Sequence, residues 1–301
     1  MIARSLLYVP GDRADRVAKA FASAGDAVIV DLEDSVKPDR KVLARHLFAR
    51  NVLARGAGVR SGVAELWVRI NSGDEGIADL DALAEVGPDG ASAFSHIDGI
   101  VVAKSESAGW LDHIAGLVAA ARTNQRRTSQ HRRDQHRAHV TLAPLIESAR
   151  GLRSVDAIAA HPAVSRLHLG EVDLAADLGV RLPGGQSVLD AARVALVVAS
   201  ASAGLVGPVG GVHLQIDDFD ALATTSLALA DCGFGGRAVI HPSHCTGVNE
   251  AFAPSDADRA WAADIVTRLD TATGGAVRAA DGSMLDEAVA RRARTILARS
   301  S

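Results

Sequence analysis

Two acidic residues in the middle of the chain stand where a metal ion could be held. Glu147 follows the apolar run LAPLI, and Asp173 follows the run LHLGEV. An amphipathic segment separates the two runs, which is typical of consecutive parallel strands joined by a helix. Neighbouring parallel strands lie roughly 5 Å apart, and α/β folds place their chemistry at the carboxyl ends of the strands. We therefore expect both carboxylates to reach one divalent cation.

The surroundings of Glu147 and Asp173 indicate which ion. Neither acid has a His or Cys at ligand spacing, so the sequence predicts a site made only of oxygen ligands. Such ligands favour Mg²⁺, with Mn²⁺ as the alternative, over zinc. The competing interpretation is structural, because the two acids could instead pair with Arg150 and Arg166 or cap the helices that follow.

Two arginines are candidates for binding an anion. Arg69 lies near the end of the predicted strand ELWVRIN, where it either meets an anionic substrate or pairs with the acidic stretch DLED at 31–34. We expect that stretch to pair with Arg69 and Lys104 rather than to form a second metal site. Arg13 follows PGD at the start of a predicted helix, where backbone amides and a guanidinium suit a phosphate group.

The elements that must position these residues alternate between strands and helices. Eight short apolar runs predict strands, and amphipathic helical segments connect most of them. The pattern predicts a closed TIM-type (β/α)8 barrel, with an open doubly wound sheet as the runner-up. Neither GxGxxG nor GxxxxGK[ST] follows any of the runs, which counts against a nucleotide-binding open sheet. The predicted strands are 5–10, 27–32, 65–71, 97–104, 140–146, 165–169, 212–216 and 237–240.

The chain is predicted to have a barrel and an extension. We assign residues 1–250 to the catalytic barrel and residues 251–301 to a C-terminal helical extension that could act as a lid. An Arg/His-rich insert at about 122–139 interrupts the barrel. A solvated loop is the preferred interpretation of this insert, ahead of an anion-binding patch or a His-rich metal tract.

Composition narrows the class of protein. A chain of 301 residues with 48% hydrophobic content can bury a large core. The formal net charge of −4 is not that of a polyanion-binding protein, so no nucleic-acid partner is expected. No run of about 18 apolar residues predicts a membrane span. Two cysteines without CxxC spacing suit a reducing compartment, and we expect a cytoplasmic protein.

Seven motifs in a fixed order carry a family resemblance. They are LLYVPGDR, VIVDLEDSV, LWVRIN, KSES, PLIESARG, GEVDLAADLG and AVIHPSH followed by VNEAFAPS. Together they resemble the citrate lyase β-subunit-like (CitE-like) proteins, of the CoA-ester lyase type, in the HpcH/HpaI aldolase family. The resemblance covers nearly the whole chain except the insert. It implies a TIM-type barrel that binds Mg²⁺, forms a homotrimer or a hexamer of two trimers, and cleaves or forms a C–C bond beside a CoA thioester.

The resemblance also assigns roles to residues. It implies that Glu147 and Asp173 are the metal ligands, that Glu147 and Arg69 contact the substrate, and that Arg13 meets the CoA phosphates. Asp286, in GSMLDEA, matches an acid/base that reaches into a neighbouring subunit, with Arg69 as the second catalytic residue. The chain departs from the family pattern at Glu287, which follows Asp286, and at Val172, which replaces an acid before Asp173.

The implied activity is Mg²⁺-dependent cleavage of a 3-hydroxyacyl-CoA into acetyl-CoA and a 2-oxo acid. Malyl-, citramalyl- and citryl-CoA all remain open as substrates. One alternative is a citrate lyase β subunit that acts on an acyl-carrier-protein thioester. Others are a class II aldolase acting on free 2-oxo acids and a non-catalytic binding protein that keeps the barrel.

Overall fold

The computed structural model of the chain describes residues 2–55, 65–86, 92–128, 140–271, 277–278 and 284–299. The chain forms two compact units. The larger unit is Ala3–Asn249, and the smaller one contains Met1–Ile2 and Glu250–Ser301.

Eight parallel strands of the larger unit close into a barrel, in which each strand pairs with the next and the eighth pairs with the first. The predicted TIM-type barrel is therefore confirmed, and the open sheet is excluded. The strands are β1 (Ser5–Pro10), β2 (Ala27–Asp31), β3 (Glu65–Ile70), β4 (Gly99–Val102), β5 (Thr141–Ile146), β6 (His168–Leu169), β7 (Val209–Gly210) and β8 (Gly236–Val239).

Helices connect these strands and surround the barrel, as its right-handed βα connections require. They are α1 (Ala14–Phe21), α2 (Lys41–Arg55), α3 (Gly73–Ala84), α4 (Ala108–Thr128), α5 (Ala149–Arg153), α6 (Val155–Ala159), α7 (Glu171–Asp177), α8 (Gln186–Ser202), α9 (Phe219–Asp231) and α10 (His244–Phe252). No helix in the described ranges is long and apolar enough to cross a membrane.

The seventh strand and the insert differ from the prediction. The run 212–216 was expected to be a strand, but β7 lies earlier, at Val209–Gly210. Leu214 and Ile216 are 56% and 43% exposed, so this run is apolar without being buried in the barrel. The insert was expected to begin at 122, but α4 continues to Thr128. Residues 129–139, and with them most of the predicted insert, lie outside the described part of the chain.

Alternation along the strands decides which side chains face the barrel axis. The interior is a buried apolar cluster to which four of the long strands contribute Leu6, Ile29, Trp67 and Leu145. Side chains two residues further along a strand point to the same face. The same alternation therefore directs four polar side chains to the carboxyl-terminal end of the interior: Tyr8, Asp31, Arg69 and Glu147.

The smaller unit packs two helices over its own core. It contains α11 (Asp256–Thr271), the antiparallel pair β9 (Val277–Arg278) and β10 (Met284–Leu285), and α12 (Glu287–Arg299). Its core contains Ala262, Ile265, Leu285 and Ala293. Met284 and Leu285 pair with β9, so the last helix begins only at Glu287.

Candidate active site

A cavity of about 280 Å³ lies at the carboxyl ends of the barrel strands. Its lining includes Arg69 from β3, Glu147 from the end of β5, and Asp173 from the first turn of α7. The structure thus brings together three residues that are spread over more than 100 positions of the sequence. This is the end of the barrel at which TIM-type enzymes carry out their chemistry.

Glu147 is a buried carboxylate that forms no salt bridge with any residue that the structure describes. It is 4% exposed, and its Oε1 accepts a hydrogen bond of 2.7 Å from the backbone amide of Lys104. Lys104 adopts a left-handed backbone conformation (φ 49°), which is strained for a residue with a side chain and is typical of functional sites. Burial raises the pKa of Glu147 to about 7, and the negative charges of Glu33 and Asp173 add to this effect.

The expected alternative pairing of the two acids with Arg150 and Arg166 is not found, whereas Asp173 does lie in the first turn of the helix that follows, where an acid is favourable. Arg150 faces Glu106 at 3.6 Å, and Arg166 faces Glu65 at 3.8 Å. Within the described residues, neither Glu147 nor Asp173 forms an ion pair. A buried carboxylate that still needs a counter-charge, with a second carboxylate on the same cavity wall, fits a hard divalent cation.

The donor set is small, which agrees with the chemistry of Mg²⁺. In the ranges that the structure describes, no group of three or more His, Cys, Asp or Glu side chains is arranged to hold a metal ion. Two carboxylates alone would leave most coordination positions to water and to substrate. Mg²⁺ commonly binds in this way, through one or two carboxylates while keeping several waters.

The raised pKa of Glu147 predicts a pH-dependent metal affinity. A carboxylate must lose its proton before it can bind a metal ion, so protons compete with Mg²⁺ below the carboxyl's pKa. With that pKa at about 7, we expect Mg²⁺ affinity to fall about tenfold between pH 8 and pH 6. Isothermal titration at several pH values measures this change. An affinity that stays constant down to pH 5 would contradict the raised pKa.

Gly170 has no side chain, and Glu147 occupies the space that a Cβ at this position would need. A Cβ at position 170 would lie 2.6 Å from the Cβ of Glu147 and 2.8 Å from its Oε2. Gly170 has φ −95°, which alanine adopts without strain, so only crowding would disturb the carboxylate. We expect Gly170→Ala to weaken Mg²⁺ binding at least about tenfold, since contacts below 3 Å force a shift. Gly109→Ala is the control, because a Cβ there meets nothing within 4 Å.

Arg69 is held by the acidic stretch that follows β2. Its Nε and Nη2 each donate to a different oxygen of Asp31 at 2.6 Å, and its Nη1 lies 3.1 Å from Glu33. Asp31 and Arg69 are register partners on adjacent strands, which explains the two-point contact. Lys104 pairs with Glu33 at 2.7 Å. The expected pairing of this stretch with Arg69 and Lys104 is therefore observed.

The other two predicted site residues have local partners. Arg13 is exposed, donates to Asp15 through its Nε and Nη2 at 3.0 Å, and does not line the cavity. Asp286 belongs to the smaller unit, where its Oδ1 accepts hydrogen bonds from the backbone amides of Ala288 (2.9 Å) and Val289 (3.1 Å). It therefore caps the N-terminus of α12, and its carboxylate is exposed.

The sequence analysis gave no role to several polar residues of the cavity, among them two with rings and one acid. Tyr8 and His168 line it from β1 and β6, inside runs that otherwise look like apolar core. A polar ring at an inward-facing strand position is the signal that could have found them. Glu171 also lines the cavity, and Arg193 donates to both of its carboxylate oxygens, at 2.8 and 2.9 Å.

The chain is similar to known proteins over most of its length. Residues 4–242 match the family model described as HpcH/HpaI aldolase/citrate lyase. The chain is 30% identical to the (3S)-malyl-CoA thioesterase of Cereibacter sphaeroides (strain ATCC 17023), over 99% of this chain and 94% of the relative. It is 31% identical to the L-malyl-CoA/beta-methylmalyl-CoA lyase of Rhodobacter capsulatus, over 98% and 93%. The chain also resembles a solved structure of Mycobacterium tuberculosis CitE in complex with magnesium, acetoacetate and coenzyme A. The two structures superpose with a TM-score of 0.74 at 29% identity, over 99% of this chain and 97% of that chain.

Proposed function

Because the chain belongs to the HpcH/HpaI aldolase/citrate lyase family and is thus a carbon–carbon lyase, we propose that it cleaves a 3-hydroxyacyl-CoA with the help of Mg²⁺. The products would be acetyl-CoA and a 2-oxo acid, and the reverse direction is a condensation. One observation carries the proposal: Glu147, Asp173 and Arg69 line a single cavity at the catalytic end of the barrel. The CitE structure that contains magnesium and coenzyme A supports the choice of metal and thioester.

Each residue of the cavity has a task in this reaction. Glu147 and Asp173 would hold Mg²⁺, which supplies a Lewis acid for the oxygen that becomes the carbonyl. Arg69 would donate hydrogen bonds to the substrate carboxylate through its two remaining N–H groups, since its contacts with Asp31 and Glu33 engage three of the five. The hydroxyl loses its proton to a base, the adjacent C–C bond breaks, and the electron pair passes to the thioester as an enolate that is then protonated.

Asp286 is the proposed base, and the family resemblance supports a homotrimer in which it serves a neighbouring chain. Its carboxylate is exposed, and its two backbone hydrogen bonds both engage Oδ1. We expect Asp286→Asn to lower kcat at least about 100-fold, as general bases commonly contribute that much. Mg²⁺ affinity should not change.

Mixing two inactive variants tests whether Asp286 acts between chains. Asp286→Asn chains co-expressed with Glu147→Gln chains should regain measurable activity, because some sites would combine an intact Glu147 with an intact Asp286. Each variant expressed alone is the control. If the co-expressed variants are as inactive as each variant alone, Asp286 does not act between subunits. If Asp286→Asn alone keeps full activity, Asp286 is not the base.

The function is tested with malyl-, citramalyl- and citryl-CoA, with products identified by mass spectrometry. The proposal predicts acetyl-CoA and a 2-oxo acid from at least one thioester, and loss of both products with EDTA. Free CoA together with an intact hydroxy acid would instead indicate thioester hydrolysis, the activity named for the C. sphaeroides relative. Turnover only of acyl-carrier-protein thioesters, or only of free 2-oxo acids, would show that the substrate is not a CoA thioester.

A further inference from the structure

The acids that line the cavity differ in whether a basic side chain holds them. Five of the described lining residues are acidic: Asp31, Asp34, Glu147, Glu171 and Asp173. Asp31 is in two-point contact with Arg69, and Asp34 lies 3.8 Å from the ammonium of Lys104. Glu171 pairs with Arg193. Glu147 and Asp173 form no salt bridge in the described part of the chain, so two of the five acids are left for another cation.

The contact between Arg193 and Glu171 engages both oxygens of the carboxylate. Nε of Arg193 donates to Oε1 at 2.8 Å, and Nη2 donates to Oε2 at 2.9 Å. Such a two-point contact fixes the orientation of the carboxylate as well as its position. Arg193 is itself anchored, because it lies on α8 between the buried residues Ala192 and Leu196. Glu171 therefore lines the cavity with both oxygens already bonded.

Gly211, which follows β7, also confines the side chain of Glu171. A Cβ at position 211 would lie 3.1 Å from Cγ of Glu171 and 3.3 Å from its Cδ. The carbonyl of Gly211 accepts a hydrogen bond of 3.0 Å from Nε of the buried Arg237, so this backbone is held in place. Asp173 lies two residues after Glu171 and is exposed. The first turn of α7 thus carries one confined acid and one acid that is open to the cavity.

From these contacts we infer that Arg193 is a positioning residue that determines which acids the metal ion can reach. It engages Glu171 and leaves Glu147 and Asp173 as the ligands. The inference rests on the proposed function. Without Arg193, Glu171 would be a third carboxylate available to the ion. Ca²⁺ takes about six to eight oxygen ligands in flexible arrangements, whereas Mg²⁺ keeps several waters and needs only one or two carboxylates. Arg193 therefore keeps the site selective for Mg²⁺ over Ca²⁺.

The test measures ion binding rather than turnover. Mg²⁺ and Ca²⁺ are titrated separately into the protein by calorimetry, and the ratio of their dissociation constants is compared between variants. Arg193→Met releases Glu171, and Arg193→Met with Glu171→Met removes the whole pair without changing the net charge. Asp190→Asn is the matched control, because the exposed Asp190 accepts a hydrogen bond of 2.9 Å from Nη1 of Arg193 and does not line the cavity. Urea unfolding shows whether each variant folds.

Arg193→Met should shift the ratio at least about tenfold in favour of Ca²⁺, since a third carboxylate adds both a ligand and a negative charge. The double variant should return the ratio to within about threefold of the wild type, because the added ligand is then absent. Asp190→Asn should change neither affinity by more than about twofold. If Arg193→Met does not fold, Arg193→Gln takes its place, since a glutamine removes the charge and the two-point contact and should shift the ratio in the same direction.

An equal loss of affinity for both ions in Arg193→Met would overturn the inference, because a residue that only stabilises α7 would weaken both ions alike. A shift that persists in the double variant would overturn it too, since Glu171 would not be the cause. Either result, with Mg²⁺ still bound by the wild type, leaves the proposed function standing. If the wild type binds neither ion, the proposed function and the role of Arg193 are both overturned.

Discussion

Replacing Arg69 with Met is expected to lower the free energy of unfolding by about 3–5 kcal/mol and to abolish lyase activity. Asp31 is 1% exposed, so without Arg69 its charge would be buried with no cation in two-point contact. Burial by itself raises the pKa of Asp31, but the hydrogen bonds from Arg69 outweigh it and hold the pKa below the usual value. Urea unfolding followed by circular dichroism measures the loss of stability.

Two further variants separate the ion pair from other effects of the substitution. Arg13→Met changes the same residue type at an exposed pair and should leave the unfolding curve unchanged. The double variant Arg69→Met with Asp31→Leu removes both charges and should recover most of the stability, but no activity. If Arg69→Met alone were as stable as the wild type, the buried pair would not contribute as described.

Glu147→Gln is expected to reduce kcat at least about 1,000-fold, since a metal Lewis acid contributes several kcal/mol to the barrier. The glutamine keeps the size of the side chain and an acceptor for the Lys104 amide, and it removes only the charge. Glu85→Gln, at an exposed position after α3, is the control and should retain full activity. Near-normal turnover by Glu147→Gln in excess Mg²⁺ would contradict its role as a ligand.

The same substitution should stabilise the metal-free protein at pH 8. The pKa of Glu147 is raised from 4.5 to about 7 on folding, so the folded chain binds the proton more tightly than the unfolded chain. Stability contributed by this group is therefore lost as the pH rises from 4.5 to 7. We expect Glu147→Gln to recover about 1–3 kcal/mol at pH 8 and almost nothing at pH 4. A gain in stability on removal of a functional charge is typical of a site whose function costs stability.

The barrel and the cavity were predictable to different degrees. Longer strands such as β2 and β3 are bounded runs rich in apolar residues, so their positions follow from the sequence. β6 and β7 have only two residues each, which is too short for any periodicity to appear. The exposed run after Gly211 is apolar enough to mimic a strand, which is why the seventh strand was misplaced.

The chemistry of individual residues was harder to predict than their position. Glu147 and Asp173 could be expected in one cavity because they follow consecutive strands. Whether Arg69 was paired depended on the register between β2 and β3, which no local pattern specifies. His168 looked like part of an apolar run, and only its barrel-facing position and unpaired nitrogens distinguish it. Such features depend on contacts between residues that are distant in sequence.

The most direct test of the account is to locate the metal ion. Crystals grown with Mn²⁺ in place of Mg²⁺ allow the ion to be found by its anomalous scattering. We predict one peak in the cavity, about 2.0–2.2 Å from a carboxylate oxygen of Glu147 and of Asp173, with water completing its coordination. The peak should disappear in Glu147→Gln crystals. A peak at the acidic stretch of Asp31, Glu33 and Asp34 instead, or one that persists in the variant, would contradict the assignment.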